Sequence, residues 1–182
     1  DWSKFLKGDM PFGTCGWASV GTGSGTKDVD NHAHIITTLA GQSLVYSSNP
    51  LYFDITDYIN DNTDGNTFEI TLKIDSYSSG GAIILLDDGT YSETLRILDD
   101  KIILDGASLH YSMDTTDDFH TYTVVMVSDS VKVYVDKVFR IDTSLATASS
   151  GTKIFSFGND TGACVSSWQF IKLADSIYQP ID

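Results

Sequence analysis

The sequence predicts an all-β domain, a two-sheet antiparallel sandwich of the jelly-roll kind, and three observations carry that expectation. Apolar and polar residues alternate with a period of two along most of the chain, the pattern of half-buried strands. Turn-forming clusters (NTDGN, DDGT, LDGA, SDS, SSGT, GNDTG) recur roughly every 8–12 residues. The acid is almost all aspartate, the two glutamates being Glu69 and Glu93. Aspartate favours turns and caps over helix interiors, so the imbalance means many turns and few helices.

Taken in order, strands are expected near 16–20, 33–39, 43–47 and 51–55. ITDYIND (55–61) is the one segment suited to a short helical turn. GTGSGTK (21–27) has glycines like a phosphate loop, but no Gly directly before the Lys and no helix to follow, so it reads as a flexible hairpin connection. TFEITLKI (67–74) alternates cleanly, with Phe68, Ile70, Leu72 and Ile74 on one face and Thr67, Glu69, Thr71 and Lys73 on the other. GAIILLDDGTYSETLRILDDKIIL (81–104) reads as three strands joined by LDDG and LDDK turns. His120 to Val127, Val131 to Val135 and Val138 to Ile141 form three more. The Asp136-Lys137 turn between the last two puts lysine where glycine would cost least, so it is strained or of another type. The last strands fall near 153–158 and 166–174, where Ile171 and Leu173 share a face opposite Phe170 and Trp168. Ten or more short strands fit a jelly roll better than a seven-stranded immunoglobulin-like sandwich.

At 182 residues the chain reads as one domain, 1–182, with its core in about 16–175. About 70% of the unfolded surface can be buried at this size. The formal net charge is −14, with 11 Lys and Arg. Phosphate backbones and anionic membranes need clustered Lys and Arg, so no nucleic-acid or membrane partner is expected. No apolar run approaches the roughly 20 residues of a membrane span. A start at Asp-Trp-Ser and an end at Gln-Pro-Ile-Asp suggest an excised module or processed product without a signal peptide. Cys15 and Cys164 either form a bridge, contributing about 4–5 kcal/mol if unstrained, or remain two buried thiols.

DDFHTYTVVMVSDSVKVYVDKVFRI (117–141) resembles the D-x-x-W/F-H-x-Y … V-x-V-Y-V-D-G segment of concanavalin A-like, laminin-G-like jelly-roll domains. TFEITLKIDS, DGASLHYSMDTTDDFH, SWQFIKLAD and GWASVGTGSGT are similar to neighbouring strands of the same family. Two positions depart from its pattern: Phe119 stands for the commoner Trp, and Lys137 for the Gly. The resemblance implies an extracellular or cell-surface domain that recognises a polysaccharide or glycan without cleaving it, with a structural Ca²⁺ as a common companion. It leaves two alternatives, a glycoside hydrolase or polysaccharide lyase of the same fold, and an adhesion module that binds protein.

The residues weigh these alternatives. The glycosidases of the superfamily resemble E-x-D-x-E on one strand, and neither Glu69 nor Glu93 has a second Glu nearby. Lyases resemble clustered Arg, His, Gln and Tyr, whereas Arg96 and Arg140 stand far apart. Asp28-Val-Asp30-Asn-His32-Ala-His34, if extended, points four metal-type ligands one way; two His and a carboxylate can bind zinc or another transition metal, and Asp28 and Asp30 are the candidate metal residues. Asn159-Asp160-Thr161 is a glycosylation sequon by rule. Sugar binding needs flat aromatic faces beside a few polar groups. Tyr91, Arg96, Tyr111 and Trp168 are the expected ligand-binding residues.

Overall fold

In a computed structural model, described at residues 4–7, 22–30, 33–47, 59, 64–144, 146–149, 151, 153–174, 176–177 and 180, the chain forms two antiparallel eight-stranded sheets. The strands are β1 (Lys4–Lys7), β2 (Thr22–Gly23), β3 (Thr26–Asp30), β4 (Ala33–Thr38), β5 (Leu44–Ser47), β6 (Asn66–Tyr77), β7 (Ala82–Asp88) and β8 (Tyr91–Ile97). They continue as β9 (Lys101–Leu104), β10 (Leu109–Ser112), β11 (His120–Val127), β12 (Ser130–Val135), β13 (Val138–Thr143), β14 (Thr147–Ala148), β15 (Lys153–Asn159) and β16 (Cys164–Ala174). Sheet A runs β13-β12-β11-β6-β16-β4-β3 with β1 beside β16, and sheet B runs β10-β9-β8-β7-β15-β5-β2 with β14 beside β8. No helix occurs among the described residues. The strand expected near 16–20, the one near 51–55, and the helical turn at 55–61, Ile59 apart, lie outside them.

The core follows from the alternation. Phe68, Ile70, Leu72 and Ile74 of β6 point inward with at most 1% exposure, facing Ile84, Leu86, Phe155 and Phe157 of sheet B. Each such burial contributes about 1.5–3 kcal/mol. Val131, Val133 and Val135 extend the core along β12, as their spacing dictates. Tyr46 stacks on Phe157 at 5.3 Å, and Phe157 meets Trp168 at 5.7 Å across the sheets.

Three expectations need correction. GTGSGTK is not a hairpin connection: β2 pairs with β5 in sheet B and β3 with β4 in sheet A, so the chain crosses the sandwich at Ser24-Gly25. Gly23 there has φ +127° and lies so close to the Ser43 carbonyl that a Cβ would collide with it. The second correction concerns Trp168. Along β16 the register jumps from Trp168↔Leu72 to Phe170↔Thr71, so Gln169 is an extra, bulged residue. The bulge resets the alternation, and Trp168 faces inward with Ile171 and Leu173 while Phe170 faces out. Third, Asn159 is fully buried, its amide donating to the carbonyls of Ile36 and Cys164 and accepting from Ser166, so the folded sequon offers no free side chain to a glycan.

The Asp136-Lys137 turn is strained: both residues are left-handed, φ 50° and 68°, as a two-residue hairpin turn matching the strand twist requires. Cys164 is a buried free thiol, which burial pushes up to about 12; Cys15 lies outside the described residues.

Candidate functional site

The outer face of sheet A carries the candidate site. β6 and β16 are its central strands, and two bulges interrupt their ladder. Besides Gln169 on β16, the register jumps between Val165↔Ser76 and Ser166↔Ile74, which leaves Asp75 as the extra residue on β6. Alternation puts Asp75 on the outer face with Lys73, and the bulge keeps Ser76 there as well. The Asp75 Oδ2 accepts the Ser167 hydroxyl at 2.5 Å. Between the bulges, Lys73 pairs with Ser167.

A cavity of about 400 Å³ opens there, lined by Asp30, Ala33, Ile35, Lys73, Asp75, Phe119, Val165 and Ser167. Ala33, Ile35 and Val165 supply apolar floor, Phe119 an aromatic wall, and Asp30, Lys73, Asp75 and Ser167 the polar groups. Neither Asp30 nor Lys73 forms an ion pair among the described residues. A second, separate hollow of about 250 Å³ also has Val165 in its lining, with Ser76, Tyr77 and Thr37.

Phe119 comes from the loop before β11. Alternation sends Tyr122 inward and Thr121 outward, so Phe119 belongs to the outer face and His120 to the end of the inner one. His120 is held by Asp117 at 2.9 Å and Asp136 at 2.7 Å. Further along the same face Glu69 is taken up by Lys172 at 2.5 Å and by the Thr123 hydroxyl. Glu69 and Asp75 are six residues apart on one strand, about 20 Å, too far to act across one glycosidic bond.

The expected ligand residues do not meet. Trp168 is 0% exposed and donates its indole N–H to the Ser166 hydroxyl at 2.7 Å; it is a core residue and cannot present a face to a ligand. Arg96, on the outer face of sheet B, bonds Asp105 and Asp160, both at 2.7 Å. Tyr111 pairs with Ile102, packs against the core edge and lies under the Arg140 guanidinium at 4.7 Å. Tyr91 starts β8 beside the Asp87-Asp88 turn, whose carboxylates accept the N–H groups of Gly89, Thr90 and Tyr91.

The metal string is likewise not one extended face. It folds as the β3–β4 hairpin, with His34 buried and Asp28 and Asp30 exposed opposite Ile35 and Ala33; His32 lies outside the described residues. Ca²⁺ takes six to eight oxygens. Asp28 and Asp30 bring two carboxylates, and no group of three His, Cys, Asp or Glu among the described residues could hold a metal. These residues do not fit a calcium ion.

Glu93, the other glutamate, is structural. It is 4% exposed and accepts the N–H groups of Thr94, Gly106 and Ala107. Burial pushes its carboxyl above the usual range against the pull of those bonds.

Asp75 was missed because the predicted strand ends one residue too early to include it. TFEITLKI ends at Ile74, yet β6 runs to Tyr77. The signal available was that Asp75 extends the outward series Glu69, Thr71, Lys73 by one more step of two.

No family model matches the sequence, and no curated protein does. Solved structures do share the architecture. A point mutant of the Emp46p carbohydrate recognition domain is 12% identical, with 98% of this chain and 100% of that one covered at a TM-score of 0.66. The fold is the concanavalin A-like jelly roll. The Crh5 transglycosylase in complex with NAG is 13% identical over 96% of this chain and 85% of that one, TM-score 0.64. The alginate lyase AlgAT5 of polysaccharide lyase family 7 is 11% identical over 84% and 83%, TM-score 0.55. The concanavalin A-like fold is thus common to a recognition domain, a transglycosylase and a lyase.

Proposed function

We propose that this chain is a carbohydrate-binding domain that holds a neutral glycan in the groove on the outer face of sheet A. The observation that carries this is the cavity itself: an aromatic wall, an apolar floor, and charged groups not consumed by internal pairing. Aromatic faces meet sugar C–H surfaces while carboxylates and an ammonium bond hydroxyls. Two carboxylates against one lysine, in a chain of net charge −14, disfavour polyuronates. The names of the structures sharing the fold support a carbohydrate partner. An extracellular or cell-surface setting belongs to the same proposal and is tested by locating the protein in its source cells.

The test is a glycan array carrying hexaoses of β-1,3- and β-1,4-linked glucose and of N-acetylglucosamine beside oligoalginate and oligogalacturonate, with and without a chelator. Capture of a neutral oligosaccharide, unaffected by chelation and lost in Phe119→Ala, is expected. Binding that survives Phe119→Ala but is lost in Tyr91→Ala or Arg96→Ala would move the site to sheet B. A second reading, hydrolysis or transfer, draws on Asp30 and Asp75 lining one cavity. Cleavage products from a bound hexaose, abolished in Asp75→Asn, would establish it in place of simple binding.

A further inference from the structure

We propose that His120, held as an imidazolium between Asp117 and Asp136, positions Phe119 in the cavity and makes the groove sensitive to pH; this rests on the carbohydrate reading of that groove. Nε2 lies 2.9 Å from Asp117 Oδ1, and Nδ1 lies 2.7 Å from Asp136 Oδ2. An ionised carboxylate only accepts, and a neutral imidazole donates from one nitrogen. Both contacts are hydrogen bonds together only when the ring carries two protons.

The clamp closes on the segment that carries Phe119. The Asp117–His120 contact shuts a four-residue loop with Phe119 inside it, and Asp118 Oδ1 accepts the Phe119 N–H at 2.7 Å. The other ring nitrogen ties the loop to the strained β12–β13 turn. There Asp136 Oδ1 accepts the Thr121 N–H, and the Asp136 N–H donates to the Thr121 carbonyl, both at 2.8 Å. One ring thus joins the start of β11 to the turn of the neighbouring hairpin. Phe119, the next residue, lines the cavity.

The charged and titratable groups around the ring are Asp114, Asp117 and Asp118 on the loop, Asp136 and Lys137 in the turn, and Tyr122 on β11. Leu72, opposite on β6, is uncharged. Burial draws the histidine down, and the hydrogen bonds to Asp136 and Asp117 outweigh it, leaving the group above its ordinary 6.5. The sign follows. A group raised by folding contributes its stabilisation fully below its unfolded value and loses it as pH rises through the folded one. Above that point a lone pair faces a carboxylate, the loop is released, and Phe119 loses its fixed place. The expected cost to sugar affinity is about two- to fivefold, the scale of a partly exposed ion pair.

The experiment uses Phe119→Trp as a fluorescent reporter, with emission taken as the difference from the unsubstituted protein between about pH 5 and pH 9, alongside an NMR titration of the His120 ring. A histidine titrating above 6.5 with the indole emission tracking it is the expected result. A ring titrating at or below that value, or emission flat through its titration, overturns the proposal. In the reporter background Asp117→Asn removes the negative charge that favours the imidazolium, leaves the cavity lining untouched, and should move both midpoints down together. It carries the test should His120→Gln fail to fold, and unmoved midpoints count against the clamp. Affinity for the hexaose captured on the array is then compared at about pH 5.5 and pH 8.5. Binding with no pH dependence overturns the role of the clamp at the groove. An indole that tracks His120 while no hexaose binds at any pH leaves the clamp standing and removes the carbohydrate reading.

Discussion

The outer faces of the two sheets present similar side chains and differ in what remains available on them. On sheet B, Arg96 sits between Ile83 and Ile103 and gives its donors to Asp105 and Asp160. Those bonds, Asp105 first, hold the guanidinium further toward its charged form against the opposing effect of burial. On sheet A, Lys73 and Asp30 face a cavity without an ion-pair partner among the described residues, beside an aromatic ring. Counting charges on a face therefore does not measure its capacity for a ligand. The count that matters is of donors and acceptors left over after folding, and sequence order does not reveal it.

That contrast can be broken at several points. The largest effect belongs to neither outer face. Trp168→Ala should cost about 3–5 kcal/mol in urea unfolding, because the indole fills the space between the sheets. A loss under about 1 kcal/mol would mean that Trp168 does not fill the core. Next, Phe119→Ala should weaken sugar binding by at least about tenfold, or about 1.4 kcal/mol, with little change in thermal midpoint, since the ring borders a cavity instead of filling the core. Arg96→Ala should do the reverse. It should remove about 1 kcal/mol of stability, allowing for the partial exposure of all three partners, and leave binding unchanged in the same titration. If binding falls with Arg96 and holds with Phe119, the assignment of faces is inverted. The smallest effect is expected for Lys137→Gly. Relief of a left-handed lysine should raise stability by about 0.5 kcal/mol, partly offset by the greater freedom of glycine in the unfolded chain. It should leave affinity alone, because Asp136 keeps its contacts.

The fold was legible because packing imposes a period. TFEITLKI and VKVYV could only bury one face, and the two-residue turns fixed their neighbours. The short edge strands β10 and β14 carry too few residues for alternation to register. Local order also hid the crossing at Ser24-Gly25, since a pair of short strands joined by glycines looks the same whether they share a sheet or part company. The site was poorly legible for a different reason. Trp168 owes its direction to a bulge, and one extra residue inverts every parity argument beyond it. Arg96 was a sound candidate by residue type, and its two aspartates lie 9 and 64 positions away in the chain. Phe119, which lines the main cavity, lay inside the stretch that carried the fold resemblance. Asp117, His120 and Asp136, the polar members of that stretch, converge at one end of sheet A, which gives the pattern a physical reason beyond its valines.

The two bulges on β6 and β16 act as a matched insertion and compensation. Asp75 lengthens one strand, Gln169 the other, and the ladder is back in step on either side of the window where Leu72, Lys73 and Ile74 meet Trp168, Ser167 and Ser166. Removing either extra residue alone would leave one flank a position out of phase, whereas removing both would keep the partners on each side. The window is thus a cassette: its outward pair, Lys73 and Ser167, can change in chemistry or spacing while the hydrophobic ladder above and below keeps its frame.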